Sequence, residues 1–186
     1  MKKLSLLFAL LVTLSFLNLK AQDDPMKKWM DAMTPGDGQA GLAKMVGDWK
    51  VKNTFWMDPN GPPQVSEGTA KCEMLLGGRY MKMTAKATML GMPFEGIGIN
   101  AYDNVAKTYQ STWIDNMGTG IMYMEGTMDP VTKVISYYGS MMDPMTGLKT
   151  NEKQTLTWNS PDKVTMAMYT VANGKEVKAM EIVYSR

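Results

Sequence analysis

The chain has 186 residues, 45% of them hydrophobic and 20% charged, and its 20 Lys and Arg against 18 Asp and Glu give a formal net charge of +2. It contains no histidine, which excludes His-based acid–base catalysis, Ser-His and Cys-His nucleophile pairs, ordinary zinc sites and His-ligated haem. Because no cluster of Lys or Arg is present, we expect no nucleic-acid partner.

The first 21 residues have the features of a secretory signal peptide. A basic start at Lys2 and Lys3 precedes an apolar run over residues 4–19, and the small residue Ala21 follows. The alternative is a membrane anchor, but the apolar run of about 16 residues is shorter than the ~20 that span a bilayer. The sequence therefore predicts cleavage after Ala21, export to the periplasm or beyond the cell, and no membrane span in the mature protein.

Removing residues 1–21 removes three lysines and no acid, so the formal charge of the mature chain is −1. The remaining chain is the size of one domain. Cys72 is the single cysteine, which rules out an intramolecular disulfide. It alternates in phase with Ala70 and Met74, and we therefore interpret it as a buried, small apolar residue.

A short amphipathic helix opens the mature chain. Asp24 is suited to cap it, Pro25 to occupy its first position, and apolar residues recur at positions 26, 29, 30 and 33. A further helical turn is predicted over 41–46. We assign residues 22–45 to this N-terminal helix and a linker, and residues 46–186 to a single following domain.

From Asp48 onward the apolar period changes from about 3.6 to 2, which is typical of β-strands with one buried face. In the clearest case, Met81, Met83 and Ala85 alternate with Lys82 and Thr84. Turn-forming groups separate about ten such strands, among them Asp58-Pro59-Asn60-Gly61, Gly77-Gly78, Asp103-Asn104, Asp129-Pro130 and Asn173-Gly174. Short turns imply antiparallel neighbours, so the sequence predicts an all-β, about ten-stranded up-and-down barrel, with a two-sheet sandwich as the alternative.

Methionine is the compositional outlier, with 21 residues. Pairs such as Met81-x-Met83, Met122-x-Met124 and Met166-x-Met168 have a spacing at which thioethers on one strand face could share Cu(I) or Ag(I). Methionine also fills irregular interiors in place of Leu and Ile. Because it occurs on nearly every predicted strand, we favour the filler interpretation and assign neither a metal site nor a cofactor.

Several short motifs in a fixed order carry a family resemblance. They are Val46-Gly47-Asp48-Trp49, Gly68-Thr69-Ala70, Leu76-Gly77-Gly78-Arg79, Gly91-Met92-Pro93-Phe94-Glu95-Gly96, Tyr102-Asp103, Trp113-Ile114-Asp115 and the ending Met180-Glu181-Ile182-Val183-Tyr184-Ser185-Arg186. Over about residues 34–186 the chain resembles the bacterial domain-of-unknown-function family 1579. The resemblance implies a calycin-like antiparallel barrel, related to lipocalins and fatty-acid-binding proteins, and no established activity. Members often carry a histidine shortly before the Gly-x-Trp, where this chain has Gln39-Ala40-Gly41.

A barrel of this size has room for a ligand as well as its own side chains. The leading hypothesis is therefore an exported protein that binds an apolar or amphipathic small molecule in the barrel. The candidate ligand-binding residues are Arg79, Met83, Phe94, Glu95, Tyr102, Tyr109, Trp113, Asp115 and Met124.

A histidine-free enzyme is the weakest of the three hypotheses, after ligand binding and soft-metal binding. Its acid–base residues would be Glu95, Tyr102 and Asp115, with Arg79 stabilising an anion. Glu95 and Tyr102 fall on opposite faces of their strand, so both could line one cavity only if a bulge at Gly96 or Gly98 shifted the register.

Overall fold

The structure is a computed structural model that describes residues 24–186. The predicted signal peptide, residues 1–21, lies outside the described residues. The described residues divide into two units at the boundary between Met33 and Thr34. Within residues 24–186, no helix is both long and apolar enough to cross a membrane.

The described part of the first unit is helix α1, Pro25–Met33. The Asp24 carboxylate accepts a hydrogen bond from the Met26 N–H at 2.9 Å, which caps the helix as the sequence predicts. Lys27 and Asp31 form an ion pair one turn apart. No side chain of α1 is buried.

Helix α2, Asp37–Ala43, belongs to the second unit. It begins four residues before the helical turn predicted over 41–46. The reason lies at its start, where the Gly36 N–H donates to Gln39 Oε1 at 2.8 Å. This hydrogen bond from the backbone of the N-cap residue to the side chain three positions later sets the first turn of the helix.

The same Gln39 side chain attaches α2 to the barrel. Its Nε2 donates to the Tyr102 carbonyl oxygen at 2.8 Å and to Asn104 Oδ1 at 3.4 Å. Gly38 lies directly on the Tyr102 ring, where any Cβ would overlap the side chain. The close approach of helix and barrel therefore requires glycine at this position.

Ten strands follow, which confirms the predicted number and class. They are β1 Gly47–Phe55, β2 Gln64–Leu75, β3 Tyr80–Met89, β4 Met92–Asp103, β5 Thr108–Asp115, β6 Met122–Met128, β7 Ile135–Met142, β8 Lys149–Ser160, β9 Lys163–Ala172 and β10 Lys175–Ser185. Each strand pairs antiparallel with the next one along the chain.

Pairing of β1 with β10, from Lys50 opposite Ser185 to Phe55 opposite Met180, closes the sheet into a barrel. The alternative of two separate sheets is therefore wrong. Closure leaves no edge strand among the ten strands, since every one has a neighbour on both sides. The register shifts between Lys178 and Met180 and between Trp158 and Ser160, where the strands bend.

A cluster of contacts around Trp49 lies at the end of the barrel next to α2. Trp49 is buried there, and its Nε1–H donates to the Met45 carbonyl oxygen at 2.7 Å. The Arg186 guanidinium stacks 4.4 Å from the centre of the Trp49 ring and donates to the Val46 carbonyl oxygen at 2.9 Å. Trp158 meets the same ring edge-on at 6.5 Å. Together these contacts join the start of β1, the end of β8 and the C-terminal residue at this end of the barrel.

Cys72 is buried in the same core, as the alternation of its strand predicts. Burial, and secondarily the charge of Asp48, raise the pKa of its thiol to about 12.

Candidate functional site

The barrel encloses a cavity of about 1200 Å³. Its wall is formed by the inward-facing residues of the strands and, at one end, by α2. Eleven methionines line it, from β3, β6, β7, β9 and β10 and from the segments beside the strands; they are Met45, Met81, Met83, Met89, Met117, Met122, Met128, Met141, Met166, Met168 and Met180. A wall of flexible, polarisable thioethers can adapt to ligands of irregular shape.

An aromatic patch lines one side of the cavity. Phe94 on β4 and Trp113 on β5 are stacked, with ring centroids 6.4 Å apart and an interplanar angle of 18°. The Trp113 ring lies over Gly96 and Gly98, and a Cβ at Gly96 would overlap the ring. These glycines therefore allow a large flat side chain to lie against the strand.

Asp115 fixes the Trp113 ring from the end of β5. Its Oδ2 accepts the Trp113 Nε1–H at 2.7 Å and its Oδ1 accepts the Met117 N–H at 2.9 Å. The Asp115 carboxylate lines the cavity, and both of its oxygens are engaged by neighbouring donors. In this arrangement it orients the aromatic patch and ends the strand.

A buried polar pair lies on β8, a strand on which no site residue was predicted. Glu152 and Gln154 are 6% and 8% exposed and both line the cavity. The Thr170 hydroxyl on β9 donates to Glu152, with 3.4 Å to each carboxylate oxygen. Burial raises the pKa of Glu152, against the opposing effect of hydrogen bonds from Thr150 and Thr170. The sequence feature that could have identified this pair is the alternation of β8, which puts Glu152 and Gln154 on the same face as Leu156.

The structure places five of the nine candidate ligand-binding residues in the cavity wall, namely Met83, Phe94, Tyr109, Trp113 and Asp115. Tyr102 faces inward but packs against α2 and meets the Tyr109 ring edge-on at 4.8 Å. Met124 is completely buried in the core beside the cavity.

Arg79 and Glu95 lie outside the cavity, which corrects their predicted placement. Arg79 is exposed in the turn between β2 and β3, where its Nη1 donates to the Leu76 carbonyl oxygen at 3.1 Å. Glu95 faces outward and pairs with Lys86 at 3.4 Å. The register of β4 with β3 and β5 runs without a shift, so the bulge that could have turned Glu95 inward is absent from these strands. The predicted carboxylate–arginine group is therefore not assembled in one cavity.

Soft-metal binding needs several thioethers at one point. Met83 Sδ instead accepts a hydrogen bond from the buried Tyr184 hydroxyl at 3.8 Å. Among residues 24–186, no group of three or more His, Cys, Asp or Glu side chains is arranged to hold a metal ion.

The turns at the end of the barrel opposite α2 carry an apolar rim. Its exposed side chains are Met57, Leu90, Met92, Met117, Ile121, Met142, Met145 and Leu148. An apolar surface around a cavity is typical of sites that admit apolar molecules.

Comparison with solved structures supports the barrel. The protein Rv2717c from M. tuberculosis is 14% identical, with a TM-score of 0.57, and the match covers 82% of this chain and 99% of that one. An S-type phycobiliprotein lyase, CPES, from Guillardia theta is 9% identical, with a TM-score of 0.52, covering 85% of this chain and 96% of that one. At these identities the likeness establishes the fold alone. Among curated proteins, none matches this chain in sequence.

The sequence profile of one family matches residues 34–186, which is α2 and the whole barrel. This confirms the resemblance drawn from the ordered motifs. The chain belongs to the family described as "Protein of unknown function (DUF1579)".

Proposed function

We propose that this protein binds an apolar or amphipathic small molecule inside its barrel. The observation that carries the proposal is the cavity of about 1200 Å³, lined by eleven methionines and by aromatic rings. Ligand sites in proteins are typically about 300–1,000 Å³, mostly apolar, with a few polar groups. The likeness to the phycobiliprotein lyase supports the architecture and, at 9% identity, says nothing about the ligand.

The distribution of the methionines favours a lining role over a metal centre. Nine of the eleven come from five strands around the barrel rather than from one cluster, and a thioether wall supplies dispersion contacts to a ligand of any orientation. We further propose that the protein acts after export, on the basis of the basic and apolar start of the sequence. N-terminal sequencing of protein from its own host tests this, because a mature chain that begins at Gln22 is expected.

The binding proposal is tested with the neutral, apolar fluorophore N-phenyl-1-naphthylamine. We expect its emission to rise and shift to shorter wavelength when it enters the cavity, and the signal to saturate at one site. Native mass spectrometry of protein from its own host should show an added mass that denaturing spectra lack.

Two variants on β3 provide a matched test. Ala87 lines the cavity, and Ala87→Trp places a large ring there, whereas the adjacent Thr88 is exposed and Thr88→Trp places the same ring on the outer face. We expect the affinity for the fluorophore to fall about tenfold or more in the first variant and to be unchanged in the second. A mass without added ligand together with no saturable fluorophore binding would contradict the proposal, as would equal affinities in the two variants.

A further inference from the structure

The cavity wall is mostly apolar, yet it contains a buried carboxyl group. Glu152 is 6% exposed and faces the cavity from β8. The hydrogen bonds it receives from Thr170 are long, at 3.4 Å to each oxygen, and no cation among residues 24–186 forms an ion pair with it. A buried carboxylate is unfavourable unless it is paired with a cation and well hydrogen-bonded.

Gln154 provides a second and independent observation. It is 8% exposed, lines the cavity, and lies two residues from Glu152 on the same face of β8. Among residues 24–186, Thr108 Oγ1 is the one enclosed side-chain polar atom without a hydrogen-bond partner, so the Gln154 amide is not sealed in the wall and lines the cavity where a ligand can reach it. Two neighbouring polar side chains on one face of β8 are therefore available to a ligand group in a mostly apolar wall.

The charges around this pair favour a cationic group. Asp143 lines the cavity, and the N–H groups of Met145 and Thr146 hold the pKa of its carboxyl below the usual range, so it is negatively charged at neutral pH. Of the lysines that line the cavity, Lys86 is paired with Glu95 on the outer face, and the other two, Lys44 and Lys133, have exposed side chains.

We propose that the ligand is an amine, whose ammonium group binds Glu152 and donates a further hydrogen bond to Gln154 while its apolar part contacts the methionine and aromatic wall. This inference rests on the proposed binding function and specifies its ligand class. An ammonium group has three donors and no acceptor, which matches the carboxylate of Glu152 and the amide oxygen of Gln154. A charge-assisted hydrogen bond in a dry cavity is among the stronger polar contacts available.

The test compares three probes with the same twelve-carbon chain and different ends: dodecylamine, dodecan-1-ol and dodecanoate. Each displaces N-phenyl-1-naphthylamine from the wild-type protein at pH 7, at concentrations below those at which it forms micelles. We expect dodecylamine to bind about tenfold or more tightly than dodecan-1-ol, and dodecanoate to bind more weakly than both.

Three variants assign the preference to the polar pair. In Glu152→Gln the ratio of amine to alcohol affinity should fall to about one, and in Gln154→Met it should fall about threefold, since one hydrogen-bond acceptor is lost. Glu73→Gln removes a carboxylate that pairs with Lys82 on the outer face of the barrel; neither residue lines the cavity, and this variant should keep the wild-type ratio.

The outcomes separate the two proposals. If all three probes displace the fluorophore equally, or dodecanoate binds best, the cavity binds ligands but the amine inference is wrong. Retention of the amine preference in Glu152→Gln also overturns it. If the fluorophore itself does not bind, the failure lies with the proposed binding function.

Discussion

The packing around Trp49 predicts that the change Trp49→Phe destabilises the protein. Phenylalanine keeps a ring in the core but cannot donate the hydrogen bond that Trp49 Nε1 makes to the Met45 carbonyl oxygen at 2.7 Å. It also presents a smaller face to the Arg186 guanidinium, which stacks 4.4 Å from the ring centre. Because Trp49 is 2% exposed, water cannot replace the lost donor without rearrangement.

Three contributions set the size of the loss in the free energy of unfolding. A buried carbonyl oxygen left without its donor is unfavourable by about 1–3 kcal/mol. The smaller ring buries roughly 40 Å² less apolar surface, or about 1 kcal/mol at 25 cal/mol per Å². The weaker contact with Arg186 removes about 0.5 kcal/mol. The free energy of unfolding should therefore fall by about 3 kcal/mol, and the thermal midpoint by about 6–12 °C for a chain of this size.

The matched control is Trp29→Phe, the same chemical change at a side chain that is 58% exposed. Both variants are compared with wild type by urea denaturation followed by far-ultraviolet circular dichroism, which does not depend on the removed fluorophore. Trp29→Phe should lie within about 0.5 kcal/mol of wild type. If the two variants unfold with the same free energy, the hydrogen bond and packing described for Trp49 do not stabilise the barrel as argued.

Three further outcomes are expected. Gly126→Ala, whose Cβ would overlap the Ser136 carbonyl oxygen, should lower the free energy of unfolding by about 2–3 kcal/mol, while Gly120→Ala, at an open position, should change it by less than about 0.5 kcal/mol in the same urea titration. The Cys72 thiol, whose pKa burial raises to about 12, should react with a disulfide reagent at pH 8 about 100-fold more slowly in the folded protein than in urea; similar rates would show that it is accessible. Burial raises the pKa of Glu152 in the folded protein. The contribution of this side chain to the free energy of unfolding is therefore fully present below about pH 4 and is lost as the pH rises through the folded pKa. Glu152→Gln should therefore match wild type in thermal midpoint at pH 4 and exceed it by about 2 °C or more at pH 7, and a constant difference across this range would contradict the assignment.

Strand number and strand direction were predictable because they depend on local patterns, and closure was expected because ten antiparallel strands with one apolar face each form a barrel most economically. Apolar residues at every second position, such as Met81 and Met83, identify one buried face. Turn chemistry such as Asp103-Asn104 and Asn173-Gly174 then joins each strand to an antiparallel neighbour. Both signals lie within a few residues, and neither needs knowledge of distant contacts.

The start of α2 was not predictable from such patterns. Its position depends on Gln39, whose side chain caps Gly36 and also donates to the Tyr102 carbonyl oxygen more than 60 residues away. A helix of seven residues has little intrinsic stability in water, so these tertiary contacts decide where it begins.

Only some of the residues in the cavity wall were predictable from the sequence. Phe94 and Trp113 were selected as aromatic residues close to glycines and do line the cavity, whereas Arg79 and Glu95 were selected for their charge, and charged side chains are usually exposed. The same expectation hid Glu152, because a carboxylate is rarely assigned to an interior without a visible cation. Glu152 alternates in phase with Leu156 and Trp158, and this pattern predicted an inward side chain more reliably. Every second residue of a strand lies on the same face unless the register shifts.

Closure of the barrel through β1 and β10 has a consequence for the order of folding. The pairing of Lys50 with Ser185 joins the first strand to the last of the ten, so the two must meet across a loop that contains all the other strands. Hairpins such as β3–β4 can form early because their partners are adjacent in sequence, whereas this final seam has the highest closure entropy in the sheet. Until β10 is in place, β1 and β9 each present a row of unpaired N–H and C=O groups to other chains. We therefore expect the interval before β10 docks to be the period in which a folding chain is most exposed to aggregation.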